Sequence, residues 1–350
     1  MSNHQKMKAV GAYRYLPLAD PECLVDLYIE KPIPTGRDLL VKVKAISVNP
    51  ADLGVREKNN YEEESPKILG WDVSGIVEEV GPECQLFKPG DEIFYAGSVT
   101  RPGGNSEFHL VDERIAGNKP KSLDFAQAAA LPLTSITAWE GLFDRLGISH
   151  SIEENNNKSL LIIGAAGGVG SIATQLAKLA GLTVIGTASR PESIQWAKDQ
   201  GADFTINHNS HFSSQLKNIG FETVDYIFCL NDTVQHFANM AEAITPQGKI
   251  CSIVPADKAS WTGSLDMDML FSKSITFVWE LMFTRSMYQT GDMIKQHDLL
   301  NKLADLIDNG KLKTTLTERI EPINAKNLRL VHEKMETGRT IGKIVLESFQ

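Results

Sequence analysis

The stretch from Ser159 to Gly181 constrains this chain more than any other. Leu160-Leu161-Ile162-Ile163 is a short apolar run of the kind a fully buried parallel strand shows. Gly164-Ala165-Ala166-Gly167-Gly168-Val169-Gly170 follows it, and then an apolar-periodic helix carrying Ile172, Leu176 and Leu179. Residues 165 to 170 fit the six-residue dinucleotide pattern, with Ala165, Gly167 and Gly170 in its three glycine positions. Those positions answer three needs: a tight turn, backbone clearance for a pyrophosphate, and close packing of helix on strand. The helix N-terminus supplies N–H donors for the phosphates. Glycine turns also occur in other α/β domains, methyltransferases among them, and here the flanking strand and helix supply the context the pattern requires.

About twenty residues further on, dinucleotide-binding chains that prefer NAD place an Asp or Glu at the end of the second strand. This chain runs Thr183-Val184-Ile185-Gly186-Thr187 and then Ala188-Ser189-Arg190. A carboxylate there would repel a ribose 2′-phosphate, whereas a serine hydroxyl and a guanidinium hold it by charge-assisted hydrogen bonds. NADPH is therefore expected over NADH, with Ser189 and Arg190 as its 2′-phosphate contacts. Pro191-Glu192 follows at once, so a surface pair of Arg190 with Glu192 is the plainer alternative.

A chain of 350 residues is long for one core, and two domains are expected. The formal charge of −9 argues against a general nucleic-acid binder, which needs a basic face. Met1 to Val10 is polar, and no apolar run approaches a membrane span, so a cytoplasmic protein without membrane partners is expected. Cys23, Cys84, Cys229 and Cys251 lie far apart with no C-x-x-C pair, which suggests neither a disulfide framework nor a structural zinc lobe.

Residues 7 to about 125 read as short strands between proline and glycine turns. Candidates are Leu40 to Ala45, Val73 to Val80, a strand delivered by Phe87-Lys88-Pro89-Gly90-Asp91-Glu92-Ile93, and Asn105 to Val111. Such a series predicts a compact, partly open barrel. Helical texture begins at Ala126 and continues through Ser135 to Leu146. Six strands then alternate with helices: Leu160–Ile163, Thr183–Thr187, Phe204–Ile206, Val224–Cys229, Lys249–Val254 and Ser274–Val278. That spacing predicts a doubly wound parallel sheet. The polar tract Glu153 to Lys158 reads as a surface loop. A helix near Met293 to Asp308, a strand at Thr314 to Ile320, a helix near Asn324 to Thr337 and the apolar end Ile344-Val345-Leu346 form a tail that returns to the first domain.

Several motifs spread from residue 49 to residue 346 resemble the medium-chain dehydrogenase/reductase superfamily, and within it the zinc-independent quinone oxidoreductase branch. They are Asn49-Pro50-Ala51-Asp52 with Arg56; Leu69-Gly70-Trp71-Asp72-Val73-Ser74-Gly75-Ile76-Val77; Phe87-Lys88-Pro89-Gly90-Asp91; Leu131-Pro132-Leu133 with Thr137-Ala138; the glycine turn; and Gly338-Arg339-Thr340-Ile341-Gly342-Lys343. The resemblance implies an α/β chain. Its GroES-like β-barrel catalytic domain would comprise residues 1–125 and 285–350, its Rossmann NADPH-binding domain 126–284, with the active site in the cleft between them. It also implies a homodimer or homotetramer joined through the last Rossmann strand.

Zinc alcohol dehydrogenases, which the chain also resembles, carry a cysteine where Asn49 stands and Gly-His-Glu where Gly70-Trp71-Asp72 stands. Asn and Trp offer neither thiolate nor imidazole, so no metal is expected. Hydride transfer from NADPH then needs an electron-poor acceptor, a quinone or an α,β-unsaturated carbonyl. By resemblance, Asn49 and Thr137 lie beside the nicotinamide, Asp52 and Arg56 buttress that loop, and Tyr61 falls where relatives place a pocket tyrosine. His208, after Ile206-Asn207, takes the place of an aromatic residue near the adenosine ribose, and Asn231 completes the expected cofactor contacts. His208 and His211 read as surface or ribose-contacting residues in preference to metal ligands. Trp71, Trp279, Met282 and Phe283 are candidates for either an apolar slot or core. A zinc-free alcohol or aldehyde reductase, and a dinucleotide-binding protein without turnover, are the alternative functions.

Overall fold

The computed structural model describes residues 5–57, 65–255 and 267–349. The chain divides into two compact units, Met1–Ile136 with Phe283–Gln350, and Thr137–Met282.

In the first unit the chain runs through β1 (Lys6–Ala12), β2 (Val25–Glu30), β3 (Asp38–Ser47), helix α1 (Pro50–Glu57), β4 (Lys67–Ile68), β5 (Val73–Val80), β6 (Glu92–Tyr95), β7 (Phe108–Asp112) and β8 (Ala116–Asn118). Helices α2 (Phe125–Ala129) and α3 (Pro132–Trp139) follow. Strand β3 is the seam. It pairs antiparallel with β5 along one edge and with β7 over the first half of the other. Its apolar run Leu39-Leu40-Val41 is fully buried because both neighbours cover it.

The first unit reaches Ile136, past the boundary at 126 drawn from the sequence. α2 joins this unit through an alanine face: Ala126 and Ala129 of α2, with Ala130 just after it, pack against Ala45 of β3 and Val345 near the C-terminus. Such small side chains let a helix lie close on a sheet, and they carry no hydrophobic period that would announce the partner.

The second unit holds a helical segment (Glu140–Arg145) with π geometry, then β9 (Ser159–Ile163), α4 (Gly168–Leu179), β10 (Thr183–Thr187), α5 (Pro191–Asp199), β11 (Phe204–Ile206), α6 (Phe212–Asn218), β12 (Val224–Cys229), α7 (Thr233–Ala243), β13 (Ile244–Ser252), α8 (Asp268–Ser272) and β14 (Thr276–Trp279). Its sheet has the order β11-β10-β9-β12-β13-β14, and every neighbouring pair is parallel. That is the doubly wound arrangement expected from the spacing. The last strand starts at Thr276, two residues later than expected, since Ser274 adopts φ 54° and cannot continue a strand. The π turn arises where Leu146 N–H reaches back to Gly141 O. A Cβ at position 141 would stand 2.4 Å from the Phe228 ring, so only glycine fits there.

The chain then returns to the first unit with α9 (Thr284–Tyr288), α10 (Lys295–Asp308), β15 (Leu316–Ile320), α11 (Ala325–Glu336) and β16 (Lys343–Glu347). β16 pairs antiparallel with the second half of β3, through Val345 opposite Ser47, and completes the seam. The tract Glu153 to Lys158 is not wholly surface. Asn155 is buried, and its side chain donates to Ser149 O and Ala180 O. No helix among the described residues is long and apolar enough to cross a membrane.

Candidate active site

Each unit carries one of the two constellations expected from the sequence. In the first, Asn49 stands between β3 and α1, with Pro50 at the first helical position. The Asn49 backbone N–H donates to Asp52 Oδ2 at 2.7 Å, while Asp52 N–H donates to Asn49 O at 2.9 Å. This is the reciprocal bonding of a helix start. The other oxygen of Asp52 accepts from Gly70 N–H at 2.9 Å and so ties α1 to the Gly70-Trp71-Asp72 segment. Gly70 is needed as glycine: its φ is +107°, and a Cβ would lie 2.3 Å from the Asn105 side chain.

The Asn49 side chain is held at both ends. Its Nδ2 donates to Asp72 Oδ2 at 2.8 Å, with longer contacts to the Ser47 and Trp71 carbonyls. Its Oδ1 accepts from Lys343 Nζ. Lys343 also donates to Val48 O at 2.9 Å and lies 3.1 Å from Asp72 Oδ2. The remaining oxygen of Asp72 accepts from Leu133 N–H, 2.8 Å away in the first turn of α3. Asn49, Asp52, Asp72 and Lys343 are all buried, none more than 4 % exposed. Burial pushes the Asp52 carboxyl up to about 7, against the pull of the Asn49 N–H, the Lys343 charge and the Gly70 N–H. It moves Asp72 up and Lys343 down, each offset by the other's charge.

Lys343 and Asp72 were visible in the sequence only as members of motifs, with no role attached. The available signal was a lysine opening an otherwise apolar terminal strand, Lys343-Ile344-Val345-Leu346. Arg56, expected with Asp52 to buttress that loop, pairs its guanidinium with Glu336 at 2.7 Å and joins α1 to α11. Trp71 is core, donating its indole N–H to Ser98 O and meeting Phe283 edge-on. Met282 and Phe283 are buried as well, whereas Trp279 on β14 is half exposed. Thr137 is buried on α3. Tyr61 lies outside the described residues.

In the second unit the glycine turn hangs from the end of β10. Gly164 N–H donates to Thr187 Oγ1 at 3.0 Å and Ala165 N–H to Thr187 O at 3.3 Å. Gly164 takes φ +92°. A Cβ at position 170 would stand 2.3 Å from Gly164 O, so the third glycine is demanded by helix-on-turn packing. At position 167 the nearest atom would be 3.6 Å away, and that glycine leaves open space in front of α4. The run Ala165 to Gly170 thus presents bare backbone and the unpaired N–H groups of a helix start, which fits a pyrophosphate. Alanine is possible at the first pattern position because Gly186 faces it. A Cβ at position 186 would meet the Ala165 methyl at 2.7 Å, a compensation that sequence reasoning did not find.

Ser189 and Arg190 follow β10 half-exposed. Ser193 caps α5 through the Arg190 backbone, leaving the guanidinium to side-chain partners, of which Glu192 is one at 3.4 Å. β10 and β11 pair through Thr187 and Ile206, which sets residues 188 to 190 beside His208. Burial and then the Arg190 charge lower the His208 pKa, so the two side chains share one electrostatic neighbourhood. Asn231, after β12, brings its Cβ within 3.9 Å of where a Cβ on Gly164 would be. His211 lies apart, its Nε2 2.7 Å from Glu242 on the surface.

Residues 35–121 match the family model of the alcohol dehydrogenase GroES-like domain, and residues 168–296 that of the zinc-binding dehydrogenases. A zinc-type alcohol dehydrogenase-like protein of Staphylococcus epidermidis is 41% identical over 340 residues, covering 97% of this chain and 99% of its own. A solved structure from Rhizobium etli CFN 42, named only provisionally as a zinc-dependent alcohol dehydrogenase, superposes with a TM-score of 0.92 at 47% identity over 99% of both chains. The quinone oxidoreductase of Coxiella burnetii superposes at 0.80 with 26% identity, covering 99% of this chain and all of its own. The chain belongs to the medium-chain dehydrogenase/reductase superfamily, a family of nicotinamide-dependent oxidoreductases. Within that family it falls in the quinone oxidoreductase-like branch.

The zinc in those names can be tested against the donors present. At the two positions where zinc-dependent members carry thiolate and imidazole, this chain has an amide whose oxygen and nitrogen are both engaged, and an indole whose N–H donates to a carbonyl. The adjacent carboxylate, Asp72, is bound by an ammonium, an amide and a backbone N–H. These groups do not make a zinc site.

Proposed function

We propose that the chain is an NADPH-dependent reductase that passes hydride to a quinone or an α,β-unsaturated carbonyl without a catalytic metal. The observation that carries this reading is the closed Asn49–Asp72–Lys343 cluster, which occupies with mutual hydrogen bonds the positions a metal-dependent relative gives to its ligands. With no Lewis acid and no side-chain acid assigned to the carbonyl, an acceptor that is already electron-poor is the one this site is suited to reduce.

Bound NADPH would supply the hydride. The first turn of α4 and the bare backbone of Gly164 to Gly170 hold the pyrophosphate, while Ser189, Arg190 and His208 receive the 2′-phosphate. By resemblance, the roles beside the nicotinamide and substrate fall to Asn49, Asp52 and Thr137, each of which would act by orientation. A proton from solvent completes the reduction. β14 ends the sheet with Phe271 beside it 84 % exposed and Trp279 49 % exposed, which supports assembly of like subunits along that edge.

The test is turnover. Purified protein mixed with NADPH and either 9,10-phenanthrenequinone or an enone should consume the nicotinamide absorbance, with NADH much less effective and a chelator without effect. Replacing Arg190 by Ala should weaken NADPH on the order of 10- to 100-fold and leave NADH nearly unchanged. Equal losses for both coenzymes would refute the phosphate assignment. Activity abolished by chelation would refute the metal-free mechanism, and tight binding of NADPH without turnover would leave a binding protein.

A further inference from the structure

A buried ion pair is a poor way to gain stability, because removing two charges from water costs about as much as their attraction returns. Lys343 and Asp72 are such a pair, 4 % and 0 % exposed. What they accomplish beyond stability is visible in the atoms they bind. Lys343 Nζ meets Asn49 Oδ1, and Asp72 Oδ2 meets Asn49 Nδ2 at 2.8 Å. A carboxamide can sit in either of two orientations related by a half-turn about its last bond, nearly identical in shape. Here the half-turn would press the NH2 group against the ammonium and the carbonyl oxygen against the carboxylate. Both ends oppose the flip.

These two charges, together with Asp52, also fix the backbone around Asn49. Lys343 donates to Val48 O, Asp72 takes Leu133 N–H, and Asp52 holds the backbone N–H groups of Asn49 and Gly70. Among the described residues, the charged groups that bond to Asn49 are Lys343, Asp72 and Asp52, and the elements that supply them, β16, the segment before β5, and α1, come from opposite ends of the chain.

We propose that Lys343, together with Asp72, is a positioning residue for the reaction: the pair locks the Asn49 carboxamide and its loop in a single orientation, the task a metal performs in metal-dependent relatives by binding that corner of the site directly. The inference rests on the reading of Asn49 as a neighbour of the reacting groups. Its mechanism is orientation, so its loss should appear in kcat and leave coenzyme affinity and KM alone.

The decisive variant is the neutral double replacement Lys343→Met with Asp72→Asn, which removes the lock without leaving either member of the pair charged and unpartnered. NADPH affinity and KM for 9,10-phenanthrenequinone should stay within about twofold, and kcat should fall on the order of 10- to 100-fold. Asn49→Ala alone should lower kcat by a similar factor, and the triple variant should be no slower than Asn49→Ala, because both changes remove one device. Multiplying losses, or a double variant with the parent kcat, would overturn the proposal and leave Lys343 as a charge balance for Asp72. If the double variant does not fold, Lys343→Arg, which keeps the charge and moves its donors, enters the same cycle with Asn49→Ala, and additive losses again overturn it.

A readout independent of turnover separates this inference from the functional reading. In protein labelled with 15N at asparagine, the Asn49 side-chain NH2 should exchange slowly in the parent and rapidly in the double variant. If the parent reduces no quinone or enone, the functional reading fails. The lock then stands or falls on whether that protection depends on Lys343.

Discussion

The polar groups of the two units are arranged on opposite plans. Around Asn49 in the first unit, amide, carboxylates and ammonium are buried and bonded to one another. At the glycine turn of the second unit, the end of β10 presents half-exposed Ser189 and Arg190, and the turn itself presents backbone where a side chain would fit. One region is made by its internal partners. The other is shaped by what has been left out, and the contrast predicts how each responds to substitution.

The largest effect should follow removal of a partner from the closed cluster. Asp72→Ala strands the Lys343 ammonium in the interior, and takes the acceptor from Asn49 Nδ2 and from Leu133 N–H. A loss of about 3–5 kcal/mol is expected in chemical or thermal unfolding. A loss below about 1 kcal/mol would be the value of an exposed pair and would break the contrast.

The second unit has a closed cluster of its own, away from the turn, and it titrates. Glu280 follows β14, is buried, and receives Arg145 Nε at 2.6 Å. Burial first, and then the neighbouring Glu140 carboxyl, push its pKa from the ordinary 4.5 to about 8. Between those values the folded chain keeps a proton that the unfolded chain has released. The stabilisation is therefore complete below pH 4.5 and is lost as pH rises through 8, by at most about 1.4 kcal/mol per pH unit. Glu280→Gln cannot titrate and should flatten this fall, so that its melting temperature exceeds the parent's at pH 9. Parallel pH profiles would show that the carboxyl is ionised throughout.

At the turn, two glycines separated by one helical turn should behave differently. Gly170→Ala forces a methyl to 2.3 Å from Gly164 O and should cost about 1–3 kcal/mol of stability. Gly167→Ala meets nothing nearer than 3.6 Å and should change stability by less than about 0.5 kcal/mol. It should nevertheless weaken dinucleotide binding on the order of tenfold, because the new methyl stands where the pyrophosphate approaches. If both variants lost only stability, the open space at position 167 would have no ligand to serve.

The same contrast explains what could be read without coordinates. The glycine turn, the parallel sheet and Val73–Val80 were legible since each is a local pattern: an apolar run, a turn residue, a helix period. Asn49 and Asp52 were legible through the resemblance that the Asn49-Pro50-Ala51-Asp52 motif carries, and the structure adds the bond between them. Lys343 was not, because the bond that gives it meaning spans 294 residues and leaves no trace in local periodicity. Gly186 was missed for a related reason: its lack of a side chain matters only against the Ala165 methyl in the turn that follows the adjacent strand. The alanine face of α2 hid its partner in the same way, and α2 packs with the first unit.

The smallest predicted effect asks whether Arg190 follows the open plan or the closed one. Its Nε lies 3.4 Å from Glu192 Oε1, with the side chains 28% and 57% exposed. An exposed pair of this kind holds its partner weakly and is screened by salt. A 2′-phosphate carrying up to two negative charges should displace it, so Glu192 acts as a mild competitor for the guanidinium. Glu192→Gln should then raise NADPH affinity about two- to threefold, leave NADH unchanged, and lose its effect as ionic strength increases. A fall in NADPH affinity would mean that Glu192 holds Arg190 in place as Asp72 holds Lys343. The second unit would in that case have built its phosphate site on the plan of the first.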